Sequence, residues 1–382
     1  MAQWNRVPLI DYIELIGGGT PKTTVPEYWN GNIPWLSVKD FNNDKRYVYS
    51  TEKHISQSGF ENSPTKMLHK DDIIISARGT VGEIAMIPFD MAFNQSCYGI
   101  RASRGIDQPF LYYLLKNCIS QLKRMTHGSV FDTITRDTFA NIEVDIPDAE
   151  TQKRISSVLA DIDNKIEVND AINDNLHQQA ATLFKALFVD LTLFDGTMPP
   201  NWTISTLGDA TEMGAGGDKP KESSPVKTPL CPYPIYSNGI NDYGLYGYTN
   251  DPKIKAESVT VSARGTIGYV CLRHTPYVPI VRLVTLIPDT KVLSAKYLYL
   301  YLRQLHITGT GTTQQQLTVP DFRKTEIIIP DKNTMDSFTE TVTPLFEQIW
   351  ANEDENTKLA EVRDALLPKL MSGEIDVSDI QL

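Results

Sequence analysis

A long internal repeat constrains this chain more than any other feature. Residues 128–147 read GSVFDTITRDTFANIEVDIP, and residues 311–330 read GTTQQQLTVPDFRKTEIIIP. They align without a gap at an offset of 183, which puts Phe139 on Phe322 and Pro147 on Pro330. The same offset continues through the stretch that follows, so Ile166 falls on Ile349, Asn169 on Asn352 and Leu183 on Leu366. Upstream, SARGTVG at 76–82 recurs as SARGTIG at 262–268. A unit this long is not a solenoid repeat. It is a globular module followed by a long helix, and the pair occurs twice.

The helices are the clearest elements. In the first tract Ile155, Leu159, Ile162, Ile166, Asn169, Asn173, Leu176, Ala180, Leu183 and Leu187 alternate in steps of four and three. In the second Phe338, Val342, Leu345, Ile349, Asn352, Asn356, Leu359, Arg363, Leu366 and Leu370 do the same. Sustained 4-3 spacing is the seam of a coiled coil. Antiparallel pairing with residue numbers summing to 525 sets Asn169 against Asn356 and Asn173 against Asn352. A buried Asn costs stability and fixes register, because a shifted pairing would set an amide against a leucine. Pro344 lies inside the second tract. It predicts a kink, or a helix that begins with Thr343 as cap and Pro344 as first residue.

These signals predict an α+β chain of two mixed α/β modules separated by two long helices in an antiparallel coiled coil. The first module is 1–147, its helix and linker 148–195, the second module 196–330, and its helix and tail 331–382. Within the modules, residues 71–76 and 143–146 read as strands. Residues 110–123 and 297–305 read as amphipathic helices. Glycine loops at 17–19 and 214–217 occupy matching places.

The net charge of −11 argues against nucleic acid until its distribution is considered. Residues 1–147 are net −1 and residues 201–330 net +3, whereas 148–200 are net −5 and 331–382 net −8. The helical tracts carry all the excess acid. Phosphate binding is electrostatic, so the chain alone should hold DNA or RNA weakly. A basic partner docked on the acidic helices would supply the rest.

Other classes recede. The four cysteines, Cys97, Cys118, Cys231 and Cys271, lie far apart, which suits reduced thiols in a cytosol. The six histidines do not cluster, so no zinc site is expected. Asp11 and Glu14 interrupt the first apolar stretch, against a signal peptide. The SARGT loops lack the spacing of a phosphate-binding P-loop, and the glycine run at 17–19 lacks that of a dinucleotide fingerprint. No hydrolase or metalloprotease motif is present, nor the N-P-P-F-type loop of amino-methyltransferases. No catalytic residues are expected.

What the modules offer is hydrogen-bonding side chains on loops. The first has Lys22, Thr23, Lys39, Arg78, Asn94, Gln95, Ser96, Arg101, Ser129 and Thr133. The second has Lys219, Lys221, Ser237, Asn238, Arg264, Arg282, Thr312, Thr313, Gln314, Gln315 and Gln316. Asn and Gln pair with adenine, Arg with guanine, and Lys and Thr with phosphates. Residues identical in both copies cannot distinguish two sequences. Arg78 and Arg264 therefore suit scaffold or backbone contacts. Divergent loops such as 94–96 and 314–316 would read bases, giving a non-palindromic target.

In order, doubling and spacing these motifs resemble the specificity (S) subunit of type I restriction–modification enzymes. The resemblance spans essentially the whole chain: Trp4 and Trp202 opening the modules, the SARGT loops, the Phe139-to-Pro147 and Phe322-to-Pro330 strand exits, the long helices, and LLPKLMSGE at 366–374. It implies a non-catalytic, cytoplasmic DNA-reading subunit whose two target recognition domains each read half of a bipartite site. It implies a coiled coil that sets the gap between the halves, and two methyltransferase (M) subunits docked on it. Restriction (R) subunits could join them. S-adenosylmethionine and ATP would belong to those partners, and this chain itself would carry no cofactor and no metal. The competing reading is a two-headed adaptor that grips protein partners without reading DNA.

Overall fold

The computed structural model describes residues 4–126, 133–309 and 316–380. Ser129, Thr312, Thr313, Gln314 and Gln315 lie outside the described residues. The chain divides into two compact units, Met1–Ala171 with Asn352–Leu382, and Ile172–Ala351. Each unit thus holds one module and part of both long helices.

In the first unit, four antiparallel strands lie in the order Ile13–Gly17, Cys97–Ala102, Ile73–Ser76, Ile84–Met86. The strand Ile73–Ser76 is buried along its length. Its run of three isoleucines is the pattern of a strand covered on both faces, and β-branched side chains suit that position. A second sheet orders Lys53–Ile55, Trp29–Leu36, Met91–Phe93 and Met67–Leu68, with the middle two parallel. A two-stranded ribbon joins Asn5–Pro8 to Glu143–Ile146.

The second unit repeats the first sheet, the ribbon and the parallel strand pair of this plan, and differs at the edges of its second sheet. Its first sheet runs Thr211–Ala215, Val284–Pro288, Ser258–Val261, Val270–Arg273. Its second runs Ser223–Ser224, Leu245–Thr249, Tyr233–Tyr236, Val278–Pro279, the last two parallel. Thr203–Thr206 pairs with Glu326–Ile329. The duplication is therefore topological as well as textual.

The helices Gln108–Thr126 and Ala295–Gln304 lay their apolar faces on these sheets, with Phe110, Leu111 and Leu115 in one core and Tyr297, Leu298 and Leu302 in the other. The long helices, Ala149–Phe184 and Lys332–Met371, join the same cores. In the first unit Ile155, Leu159, Leu367 and Leu370 pack with the module. In the second, Phe184, Phe188, Phe338 and Val342 do so. Burying one such side chain is worth roughly 1.5–3 kcal/mol, so the modules and the helix segments beneath them share one hydrophobic driving force.

Both long helices are capped alike. Asp148 Oδ1 accepts from the backbone N–H of Thr151 at 2.9 Å, and Asp331 Oδ1 from those of Asn333 and Thr334 at 3.1 and 3.3 Å. The second helix thus starts at Lys332 and runs unbroken through Pro344, correcting the expectation that it begins at Thr343. The proline ring stands exposed, and the Thr343 hydroxyl donates to the Thr339 carbonyl one turn back at 2.7 Å.

Leu183 is a second correction. It is 36% exposed, whereas Phe184 and Phe188 are buried. The helix passes into a π-turn over Lys185–Val189, and the aromatic cluster of Tyr297, Phe338 and Trp202 takes the two phenylalanines. Ala180, Phe184 and Phe188 are buried at successive steps of four, which takes the buried face off strict 4-3 spacing.

Candidate nucleic-acid interface

The repeated SARGT segment builds the same turn twice. Ser76 is buried; its hydroxyl donates to the Thr80 carbonyl at 2.5 Å and accepts from Glu83 N–H at 2.8 Å. The Gly82 N–H donates to the Ser76 carbonyl at 3.0 Å. In the second copy the Ser262 hydroxyl donates to the Thr266 carbonyl and accepts from Tyr269 N–H at 2.9 Å, and Gly268 N–H reaches the Ser262 carbonyl at 3.0 Å. Gly79 and Gly82 have φ of 78° and 86°, and Gly265 and Gly268 of 69° and 86°. Only glycine adopts such angles without steric cost. The two serines therefore lock a tight turn whose tip carries Arg78 or Arg264, both exposed. The structural role of the serines is not evident from sequence, although their identity in both copies is the signal for it.

Three loops meet around each tip. In the first unit these follow the strands Trp29–Leu36, Ile73–Ser76 and Met91–Phe93, bringing Ser37, Lys39, Arg78, Thr80, Asn94 and Ser96 around one cleft. Backbone bonds fasten it. Asn94 N–H donates to the Leu36 carbonyl at 3.0 Å, and Ala77 and Arg78 N–H both reach the Ser96 carbonyl, at 2.8 and 3.2 Å. Asn94 Oδ1 accepts from Ser96 N–H at 3.0 Å. Gln95 Oε1 accepts from Thr20, on the loop that also carries exposed Lys22 and Thr23. Lys39 Nζ is 4.0 Å from Glu52 and remains mostly in solvent. Arg78 bridges to Thr133 through the backbone, and among the described residues its guanidinium meets no acid.

The glycine loop lies beneath this face. Gly19 N–H donates to the Phe93 carbonyl at 2.9 Å, and a Cβ on Gly18 would fall on the Asn94 carbonyl. In the second unit a Cβ on Gly216 would stand 2.7 Å from Ile280 N. Glycine is required here because two backbones touch.

In the second unit Asn238 ties its loop to Ala263 beside Arg264 and to Val281 beside Arg282, with Ser237 next to it in the chain. Val281 and Arg282 adopt φ of 53° and 66°, and their N–H groups donate to Gly217 and Gly216 at 2.9 Å each. That turn pushes the Arg282 side chain into solvent. Arg264 donates to Gln316 Oε1 at 3.2 Å. Lys219 lies 5.1 Å from the ring of Tyr246, with Lys221 exposed close by in the chain.

Arg101 stands apart and is corrected as a candidate. It sits at the far end of its strand, and its guanidinium holds Asp72 in a two-pronged pair at 2.8 and 2.6 Å. The Asp72 side chain is 5% exposed, so Arg101 neutralises a buried acid. The seam asparagines are internal too. Asn169 Nδ2 donates to Asn356 Oδ1 at 2.9 Å and to Glu355 at 2.8 Å, and Asn356 donates to Asp170 at 2.9 Å. In the second unit Asn173 donates to the Ile349 carbonyl at 3.4 Å. Asn352 is buried.

The faces offer positive charge, amides and hydroxyls on rigid loops, the chemistry of phosphate and base-edge contact. Thiolate chemistry is not on offer at Cys97 or Cys118, because burial pushes these thiols up to about 12 and about 11. Among the described residues, no three His, Cys, Asp or Glu side chains come together to hold a metal ion, and no helix is long and apolar enough to cross a membrane.

The type I restriction modification DNA specificity domain, as a family model, matches residues 1–178 and again residues 199–361. This chain belongs to that family. Among its relatives, the type I restriction enzyme MjaIX specificity subunit of Methanocaldococcus jannaschii is 27% identical over 99% of this chain and 94% of its own length. The HindI specificity subunit of Haemophilus influenzae is 27% identical over 70% of this chain and 77% of its own. The fold is that of the S subunit of a type I restriction–modification system from M. genitalium, with a TM-score of 0.58 at 15% identity over 97% of this chain and 96% of that one. The two matched stretches of this specificity-family chain each contain one three-loop face.

Proposed function

We propose that this chain is the DNA-reading subunit of a type I restriction–modification assembly. Each module reads one half of a bipartite, non-palindromic site, and the paired helices fix the gap between the halves. The observation that carries this reading is the duplicated face. Its scaffold is the same in both units, down to the serine-locked turn, while the loops around the arginine differ. A shared Arg78/Arg264 cannot tell two sequences apart, so it serves the phosphate backbone. Asn94, Gln95 and Ser96 on one side, and Arg282 and Gln316 on the other, would meet different bases, because these loops differ between the copies. Lys22, Thr23, Lys39, Lys219 and Lys221 add phosphate contacts around the rims. By side-chain chemistry alone, Ser129 and Thr312 add hydroxyls and Gln314 and Gln315 amides to the candidate contacts.

Charge supports the choice of partners. The helical tracts are strongly acidic and the modules near neutral, so basic methyltransferase subunits docked on the helices would complete the grip on the duplex. In this reading methylation and cleavage, with their S-adenosylmethionine and ATP, belong to those M and R subunits, and this chain supplies recognition alone.

The experiment is to sequence the methylated sites left by this chain with its methyltransferase subunits. Two unlike half-sites at one fixed spacing are expected. Insertion of one heptad in both helices should lengthen the gap and keep both halves. Methylation without sequence preference would refute the reading.

A further inference from the structure

Asn238 is a candidate base reader by sequence, but both ends of its amide are already used. Its Oδ1 accepts from the Ala263 N–H at 2.7 Å, and its Nδ2 donates to the Val281 carbonyl at 2.6 Å. Ala263 precedes Arg264 on the serine-locked turn, and Val281 precedes Arg282. One side chain therefore ties its own loop to the two loops that carry the arginines. Ala263 is 1% exposed, so its N–H has no recourse to water.

The first unit closes the same joint differently. There Ala77 N–H, the counterpart of Ala263 N–H, goes to the backbone carbonyl of Ser96 at 2.8 Å. In the second unit Val281 and Arg282 are in left-handed conformations and turn their N–H groups to the glycine loop. The Asn238 amide takes over the bond that the Ser96 carbonyl makes in the first unit. The joint common to both units, Asn94 N–H to the Leu36 carbonyl at 3.0 Å, survives as Ile280 N–H to the Tyr236 carbonyl at 2.9 Å.

Resting on the DNA-reading proposal above, we infer that Asn238 is the positioning residue of the second face: it touches no base and holds Arg264 and Arg282 in a fixed relation. An amide is needed because it presents an accepting oxygen and a donating NH2 group together on a short stem. Aspartate keeps the acceptor for Ala263 and loses the donor to Val281. Alanine loses both. Loosening the loops blurs every contact made from them, so a positioning role affects the whole half-site, whereas a reading role affects one base pair.

The test compares wild type, Asn238→Asp and Asn238→Ala in the full chain with its methyltransferase subunits, scoring binding to site libraries varied in each half. Discrimination across the second half-site should fall about tenfold or more in Asn238→Ala and by less in Asn238→Asp. The first half-site should be unaffected. Hydrogen exchange at the Ala263 amide should accelerate in Asn238→Ala, which a base contact would not cause. Unchanged discrimination in both variants, or a switch of preference at one base pair alone, would overturn the inference. If Asn238→Ala does not fold, Asn238→Asp decides alone: discrimination lowered across the half-site supports the inference, and unchanged discrimination overturns it. Absence of preference in the wild type would instead count against DNA reading itself.

Discussion

Arg363 donates from Nη1 to Asp163 Oδ1 over 2.9 Å, and each side chain is 4% exposed. The pair joins the two long helices beneath the first module. Tyr113, on the module's own helix, donates its hydroxyl to the other Asp163 oxygen at 2.6 Å, and Arg363 Nη2 reaches Asp44 at 2.9 Å. At the repeat-equivalent positions of the second unit stand Phe346 and Ala180, both buried and apolar. Removing one member of a buried pair strands the other, at about 3–5 kcal/mol. Arg363→Met should therefore destabilise the first unit by that amount, and adding Asp163→Asn should recover part of it. Thermal unfolding of the purified chain measures both, and an unchanged melting temperature in Arg363→Met would refute the claim.

Much of this pair is hidden in the sequence. The 4-3 pattern places Arg363 in a seam, where an arginine is anomalous, but its counter-charge at Asp163 lies beside the seam positions and looks like any solvated helix acid. The repeat, the two modules and the antiparallel setting of Asn169 against Asn356 are legible, because they follow from periodicity. Leu183 is misplaced by the pattern because aromatic packing within the second unit buries its neighbour Phe184 instead. Arg101 resembles Arg282 as a loop cation, and only the fold shows Asp72 beside one and solvent around the other. Asn238 reads as a polar loop residue because sequence does not reveal whether an amide is already satisfied.

The two helix caps give a pH dependence. Bonds from Thr151 hold the Asp148 carboxyl below its usual range, and bonds from Thr334 hold Asp331 down likewise. A carboxylate whose pKa is lower folded than unfolded stabilises the fold above its unfolded value, about 3.9, and that contribution is lost as pH falls through the folded value. Stability should thus decline below about pH 4 partly through these caps. Asparagine caps without titrating, so Asp148→Asn with Asp331→Asn should flatten the acid limb of a stability–pH curve. An identical limb in the double variant would show that the caps do not contribute.

Neighbouring glycines separate steric need from sequence pattern. A Cβ on Gly17 meets nothing within 4 Å, whereas one on Gly18 collides with the Asn94 carbonyl. Gly17→Ala should leave recognition intact. Gly18→Ala should displace the Asn94 loop and weaken the first half-site alone, measured by binding to sites mutated in either half. Equal effects of the two substitutions would contradict the packing argument.

Arg78 and Arg264 should act on affinity and not on sequence. Each alanine variant should weaken binding evenly across sequences and reduce the slope of log K against log salt by about 1. Titration of the assembly with DNA at several salt concentrations provides the readout. A changed preferred sequence would make these arginines readers.

The most direct test exchanges residues 1–147 for the first module of a different specificity subunit and sequences the DNA methylated by the resulting assembly. One half of the recognition site should change, while the other half stays as it was. Alteration of both halves together, or of neither, would contradict two independent reading faces on one duplicated body.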